Sequence, residues 1–80
     1  SEANDEVQNL QTILGTVREL KGPSGYGAAG TSLVAALNSK NAIPGAWTYD
    51  GTNLTNQWGG AVTIESTGTA VEITSASVPA

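Results

Sequence analysis

Apolar residues in the first quarter of the chain recur at spacings of three and four: Val7, Leu10, Ile13, Leu14, Val17 and Leu20. At roughly 100° per residue they fall within an arc of about 140°, the width of a core-facing helical stripe. Gln8, Gln11, Thr12, Gly15, Thr16 and Glu19 occupy the other side. The pattern predicts a long amphipathic helix over residues 5–21. Asn4 or Asp5 is the expected N-cap, its side-chain oxygen accepting from a free backbone N–H. Asp5 and Glu6 suit the positive end of the helix dipole, and Arg18 and Lys21 the negative end. Gly22-Pro23 is the expected stop, with glycine in a left-handed cap and proline unable to continue the helix.

Beyond Pro23 the periodicity changes. Four of the eight residues from Pro23 to Gly30 are Gly or Pro, which predicts a loop. A shorter helix follows, capped by Thr31 or Ser32, with Leu33, Val34 and Leu37 as its apolar side. Asn38 to Asn41 and Ile43-Pro44 end it. From there the period is two. Ala46-Trp47-Thr48-Tyr49 leads into Asp50-Gly51, a strong signal for a two-residue hairpin turn. That turn sets Trp47 opposite Leu54 and Tyr49 opposite Thr52. Gln57-Trp58-Gly59-Gly60 reads as a bend or bulge, because paired glycines weaken a strand interior.

Residues 61–65 and 70–74 both alternate apolar with polar. A loop centred on Thr67-Gly68 pairs Ile64 with Val71 and Val62 with Ile73. Thr63, Glu65, Glu72 and Thr74 then share the polar face, and the sheet edge near Thr74 stays open to another chain. Residues 75–80 read as a fraying tail. The expected fold is α+β in one domain over residues 1–80. A long N-terminal helix packs on an antiparallel sheet of two hairpins, and a short second helix sits in the connection.

Charge and composition narrow the chemistry. The 80 residues contain neither Cys nor His, so disulfides, thiolates and the commonest general base are excluded. The net charge is −4, and the three cations Arg18, Lys21 and Lys40 form no patch. Nucleic acid and polybasic membrane-surface binding both need clustered Lys or Arg and are therefore not expected. No apolar run approaches the ~20 residues of a membrane span, and no signal peptide is visible. The opening Ser1-Glu2-Ala3-Asn4 lacks a start methionine, which implies processing upstream.

One motif points to an enzyme. Gly25-Tyr26-Gly27-Ala28-Ala29-Gly30 matches the G-x-G-x-x-G dinucleotide fingerprint, and Asp50 lies twenty residues beyond Gly30, where a ribose-binding acid would stand. The fingerprint works only after a buried strand in a parallel βαβ unit. Here a helix precedes it and hairpins follow, so a tight interhelix loop is the better reading.

The remaining chemistry is sparse. Asp50, Glu65 and Glu72 are candidate paired carboxylates, but nothing supplies the apolar pocket that raises one pKa. They read instead as solvating groups on a sheet face. Asp50-Gly51-Thr52-Asn53 lacks the alternating acids of a calcium loop. A Ser–Lys dyad through Lys21 or Lys40 has no supporting spacing. Asn53-Leu54-Thr55 is a glycosylation sequon that matters only in a eukaryotic secretory setting. Trp47, Tyr49 and Trp58 either fill a core that has no Phe or form a stacking surface for sugar or protein. Tyr26, in the glycine-rich loop, is expected to be exposed or partly packed, available to an interface. No cofactor, metal or catalytic group is expected.

The run DEVQNLQTILGTVRELKGPSGYGAAGTSLVAALNSKNAIP, with NQWGGAVTIES further on, resembles the type IVb pilins, particularly those of conjugative plasmids and enteric pathogens. The likeness covers residues 5–65. Its most specific pieces are LQTILGTVRELKG-SGYG and the W-G-G-x-V-T of Trp58 to Thr63.

The resemblance implies a structural subunit of a type IV pilus, exposed at the bacterial cell surface and held in the inner membrane before assembly. Its partners would be other pilin subunits, with a host or recipient-cell ligand as a further possibility for a minor pilin or adhesin. Residues 5–21 would be the outer half of a longer helix whose apolar half anchors the subunit and lines the filament. Residues 22–45 would join helix to sheet. Tyr26, Trp47, Tyr49 and Trp58 are then the candidate assembly or ligand surface. The chain departs from the family in lacking that apolar half and a disulfide-closed C-terminal region.

Overall fold

The computed structural model describes residues 1–79; of the expected tail, Ala80 lies outside the described residues. The fold is α+β, as the periodicities imply. Helix α1 (Glu2–Val17) continues as a single 3-10 turn over Arg18–Leu20, and α2 spans Val34–Ser39. Four strands follow: β1 (Thr48–Tyr49), β2 (Leu54–Thr55), β3 (Ala61–Ser66) and β4 (Val71–Ser75). They form one antiparallel sheet in the order β1-β2-β3-β4. The two expected hairpins are thus joined into a meander. The Gln57–Gly60 segment is the turn between β2 and β3, where a bend or bulge is expected from sequence.

Both helix ends differ from expectation. Ser1 is the N-cap of α1, its hydroxyl accepting from the Asn4 N–H at 3.2 Å, so Asn4 and Asp5 lie inside the first turn. At the other end no left-handed glycine stops the helix. The helix tightens into the 3-10 turn, and Lys21 is extended at φ −69°, ψ 120°. Gly22 and Gly25 then exchange two backbone hydrogen bonds, of 2.8 and 3.1 Å, across Pro23-Ser24. Helix α2 starts from Leu33, and the Ser32 hydroxyl accepts from the Val34 N–H at 3.3 Å.

The registers of β1–β2 and β3–β4 are each shifted by two residues. Tyr49 pairs with Leu54, and Trp47 and Thr52 fall outside the ladder. Ile64 pairs with Ile73, and Val62 with Ser75, so β4 runs one residue beyond the expected Thr74. A shift of two preserves the face of every side chain, because the strand period is two. The cause in each case is a polar side chain that widens the turn. The Asp50 carboxylate accepts from the N–H groups of Thr52 (2.9 Å) and Asn53 (2.6 Å), and the loop becomes Asp50 to Asn53. The Ser66 hydroxyl accepts from the Gly68 N–H at 2.9 Å, and the loop becomes Thr67 to Ala70.

One core holds the layers together. Ile13 and Val17 of α1, Leu33, Val34 and Leu37 around α2, and Trp47, Leu54, Val62 and Ile64 of the sheet region are all buried. Ile13, Leu37 and Ile64 are fully enclosed. Burying side chains of this size contributes about 1.5–3 kcal/mol each. The interhelix connection also pairs with the sheet. The Leu33 N–H donates to the Ile64 carbonyl (2.8 Å), the Ser66 N–H to Thr31 (2.8 Å) and the Gly30 N–H to Ser66 (2.7 Å). Residues 30–33 therefore occupy the edge of β3 that short β2 leaves uncovered, while β4 covers the other edge.

Candidate assembly surfaces

Helix α1 lies on the core with only part of its apolar stripe. Leu10, Ile13, Val17 and Leu20 face inward, whereas Val7 is 49% exposed and Leu14 42%. Those two residues are seven apart, so they line up along one edge of the helix. The core therefore uses one side of the stripe and leaves the other as an apolar ridge.

The rest of the inward face is polar where the sequence suggests only charge at a helix end. Glu6 stands four residues before Leu10 and seven before Ile13, in the middle of the buried face, and is 3% exposed. Its Oε1 accepts from the Trp47 indole N–H (3.2 Å) and from the Asn9 amide (3.1 Å). Its Oε2 accepts from the Ser75 hydroxyl. Ser75 Oγ in turn accepts from the Asn56 amide at 2.9 Å, and that amide also donates to the Ala76 carbonyl at 2.6 Å. Asn56 Oδ1 completes the set by accepting from the N–H groups of Trp58 (3.0 Å) and Gly60 (2.9 Å). Gly60 presses so closely on Ala76 that a Cβ there would fall on its carbonyl.

Helix α1, Trp47 just before β1, the β2–β3 turn and the end of β4 thus meet in one hydrogen-bonded knot. No buried side-chain N or O among the described residues lacks a partner. The knot's carboxylate accepts from three donors, the Trp47 indole, the Asn9 amide and the Ser75 hydroxyl.

The four aromatic candidates separate. Trp47 is 5% exposed and belongs to the core, its indole N–H tied to Glu6. Tyr49 and Tyr26 are half-buried and pack against that core; the Tyr49 hydroxyl donates to the Gly51 carbonyl at 3.0 Å. Trp58 is also half-buried, in the β2–β3 turn and outside the core cluster.

The glycine-rich segment is turned to the sheet. Gly25, Gly27 and Gly30 all have positive φ, at 98°, 101° and 90°. The Tyr26 N–H donates to the Gly68 carbonyl at 3.0 Å, and the N–H groups of Gly25 and Thr31 go to Gly22 and Ala28. A Cβ on Gly25 would collide with the Gly68 carbonyl. Close backbone approach explains that glycine, as a phosphate would in a nucleotide fold, but the approaching group here is the β3–β4 loop. Of the six motif residues, Gly25, Tyr26 and Gly30 spend their N–H groups on carbonyls, and a helix, not the buried strand of a nucleotide fold, precedes them.

The outer sheet face carries an open groove of about 470 Å³, bordered among others by Asp50, Thr52, Thr55, Thr63 and Glu65. Glu65 and Glu72 stand directly opposite each other in the ladder, closer than the expected register places them. Asp50 belongs to the turn, and its carboxyl is held below the ordinary aspartate value, chiefly by the N–H of Asn53 and then by that of Thr52. Among the described residues no three acidic, His or Cys side chains come together in a way that could hold a metal.

No helix of the described residues is long and apolar enough to cross a membrane. Among curated proteins and among solved structures, none matches this chain. The family model described as PilS N terminal matches residues 1–80. The chain therefore belongs to the PilS family of type IVb pilins.

Proposed function

We propose that this pilin works as a structural subunit of the pilus filament, with α1 as the outer half of a longer spine and the sheet as its exposed body. Membership of the family makes it a type IV pilin, which assembles with other pilin subunits in a surface pilus. The observation that supports the finer reading is the ridge of Val7 and Leu14. A helix whose only task is to cover a sheet has no use for large apolar groups on its free edge. A spine packed among neighbouring spines does. In this reading α1 continues a longer apolar helical segment, and the inner-membrane stage depends on that segment. The half-exposed aromatics Tyr26, Tyr49 and Trp58 belong to the subunit contacts, with Trp47 supporting them from behind.

Leu14→Glu in the full-length pilin, produced in its own host, tests this. The isolated domain should lose little stability, because Leu14 is 42% exposed and surface changes stay within about 0.5 kcal/mol. Surface pili seen by electron microscopy should disappear. Normal pili from this variant would sink the reading. An adhesive role in conjugation or host contact is the second reading, favoured by Trp58 on a surface turn. A glycan array or cell-adhesion assay with Trp58→Ala tests it, because Trp47→Ala would remove a core side chain instead.

A further inference from the structure

We infer that the basic end of α1 in one copy of this chain docks into the acidic groove on the outer sheet face of a second copy. Strand β3 is the floor of that groove, and Thr63 and Glu65 line it on the face opposite the buried Val62 and Ile64. The β1–β2 turn and β2 form one wall, and residues 32–34 the other. The groove exists because β2 is only two residues long. β2 pairs with β3 at Ala61 and Val62, whereas residues 31–33 bond to β3 at Ile64 and Ser66, and a gap is left between them. β4 contributes no wall.

The groove's volume of about 470 Å³ falls within the roughly 300–1,000 Å³ of ligand pockets and has room for two long side chains. Its charged groups are Asp50 and Glu65, and its lining contains no Lys or Arg. The N–H of Asn53, and then that of Thr52, hold the Asp50 carboxyl below its ordinary value, so it is ionised at neutral pH. Glu65 is half-buried and stands opposite Glu72 in the ladder, which is destabilising while both are charged. A cation seated beside Glu65 offsets that repulsion.

Two of the chain's three cations meet this need from a single place. Val7 and Leu14 mark the exposed edge of α1, and Arg18, four residues past Leu14, continues that edge. Lys21 follows across the 3-10 turn of Arg18–Leu20, a geometry in which side chains three apart eclipse. Arg18 and Lys21 are both exposed and stand on one side, with Glu19 roughly a third of a turn away. Two flexible cations at a helix end match two carboxylates in an open groove. A bare metal ion needs a closer cage, and among the described residues no three acidic, His or Cys side chains supply one. Helix α1 covers the inner sheet face and the groove lies on the outer one, so the two patches cannot meet within one copy. A contact between unlike patches is heterologous and repeats from copy to copy. It therefore extends a row of subunits and runs on from the apolar ridge of Val7 and Leu14.

This inference rests on reading the chain as an assembling subunit, and charge reversal tests it separately. Full-length pilin is produced in its own host as two variants: Arg18→Glu with Lys21→Glu, and Thr63→Lys with Glu65→Lys. Each variant alone sets like charges against each other across the contact, so surface pili seen by electron microscopy should fall about tenfold or more. Produced together, the two variants should restore pili, because every groove then meets an end of opposite charge on its neighbour. Normal pili from either variant alone would overturn the contact. So would pili lost in both variants and not regained on co-production, the outcome expected of a folding defect or of another part of the same chain seated in the groove. Glu65→Lys also removes the repulsion from Glu72, so the purified domain should keep its fold in a thermal melt. Charge variants with normal pili leave the role assigned to Leu14 untouched, and normal pili from Leu14→Glu leave this rescue untouched.

Discussion

At the scale of single residues, Glu6 shows how much one position can be misjudged from its type. Near the start of a helix an acidic side chain reads as a dipole partner at the surface. Here it is buried and accepts from Trp47, Asn9 and Ser75. The signal was present in the spacing, since Glu6 lies on the stripe of Leu10, Ile13 and Val17. Only the donors that make burial tolerable were hidden, because they come from distant parts of the chain. Glu6→Ala should be costly, since each buried donor left without a partner loses about 1–3 kcal/mol. Glu6→Gln should cost less, because its amide oxygen can still accept and the Ser75 hydroxyl can turn. Chemical denaturation of both variants should rank them in that order; equal midpoints would mean the carboxylate contributes nothing. Asp50 is the second such residue. Its folded pKa is lowered by the turn amides, so its contribution is fully present above the unfolded value of about 3.9. That contribution is lost as pH falls through the lower folded value. The amide signals of Thr52 and Asn53 should therefore hold steady through the ordinary aspartate range and move only in stronger acid.

At the scale of elements, the sequence pattern carries existence and facing better than register. Helix α1, helix α2 and the strand pairs all lie near where periodicity places them, and their apolar faces turn inward except at Val7 and Leu14 of α1. The pairing of β1–β2 and β3–β4 is displaced by two residues because Asp50 and Ser66 bond into their own turns. Alternation cannot detect that displacement, since it leaves every face unchanged. The shift has a measurable cost. It sets Glu65 against Glu72, and like charges directly opposite are destabilising. Glu72→Lys should raise stability by about 0.2–1 kcal/mol, an effect that shrinks in high salt. A thermal melt at low and high ionic strength decides this; a salt-independent gain would point to some other cause.

At the scale of the whole molecule, stability should be uneven. β3 has neighbours along both edges, β4 on one side and β2 with residues 30–33 on the other. Native-state hydrogen exchange should leave the amides of Thr63 to Ser66 as the slowest. The first two turns of α1 should exchange early, because Val7 is exposed and apolar packing begins only near Leu10. Uniform protection along α1 would contradict this division. The family and fold class were legible in the sequence, since they depend on helix stripe, glycine turn and strand alternation. The assembly surfaces were not. Trp47 is buried and Val7 exposed because of how α1 seats on the core beside the Glu6–Trp47 bond, a contact between residues far apart in the chain.

The same knot decides how the subunit carries tension. If α1 is the filament spine, as proposed, a pull on the filament's ends loads each subunit along its helix, and the load must cross from helix to sheet. Near Ile13 and Val17 it crosses through apolar contacts, which tolerate some sliding. Near Glu6 it crosses through a few directional hydrogen bonds to Trp47 and Ser75, which weaken steeply once stretched or bent. Under a steady pull the base of the helix is therefore the first part to peel, while the seam at Ile13 keeps hold. A subunit built this way lengthens slightly before it unfolds.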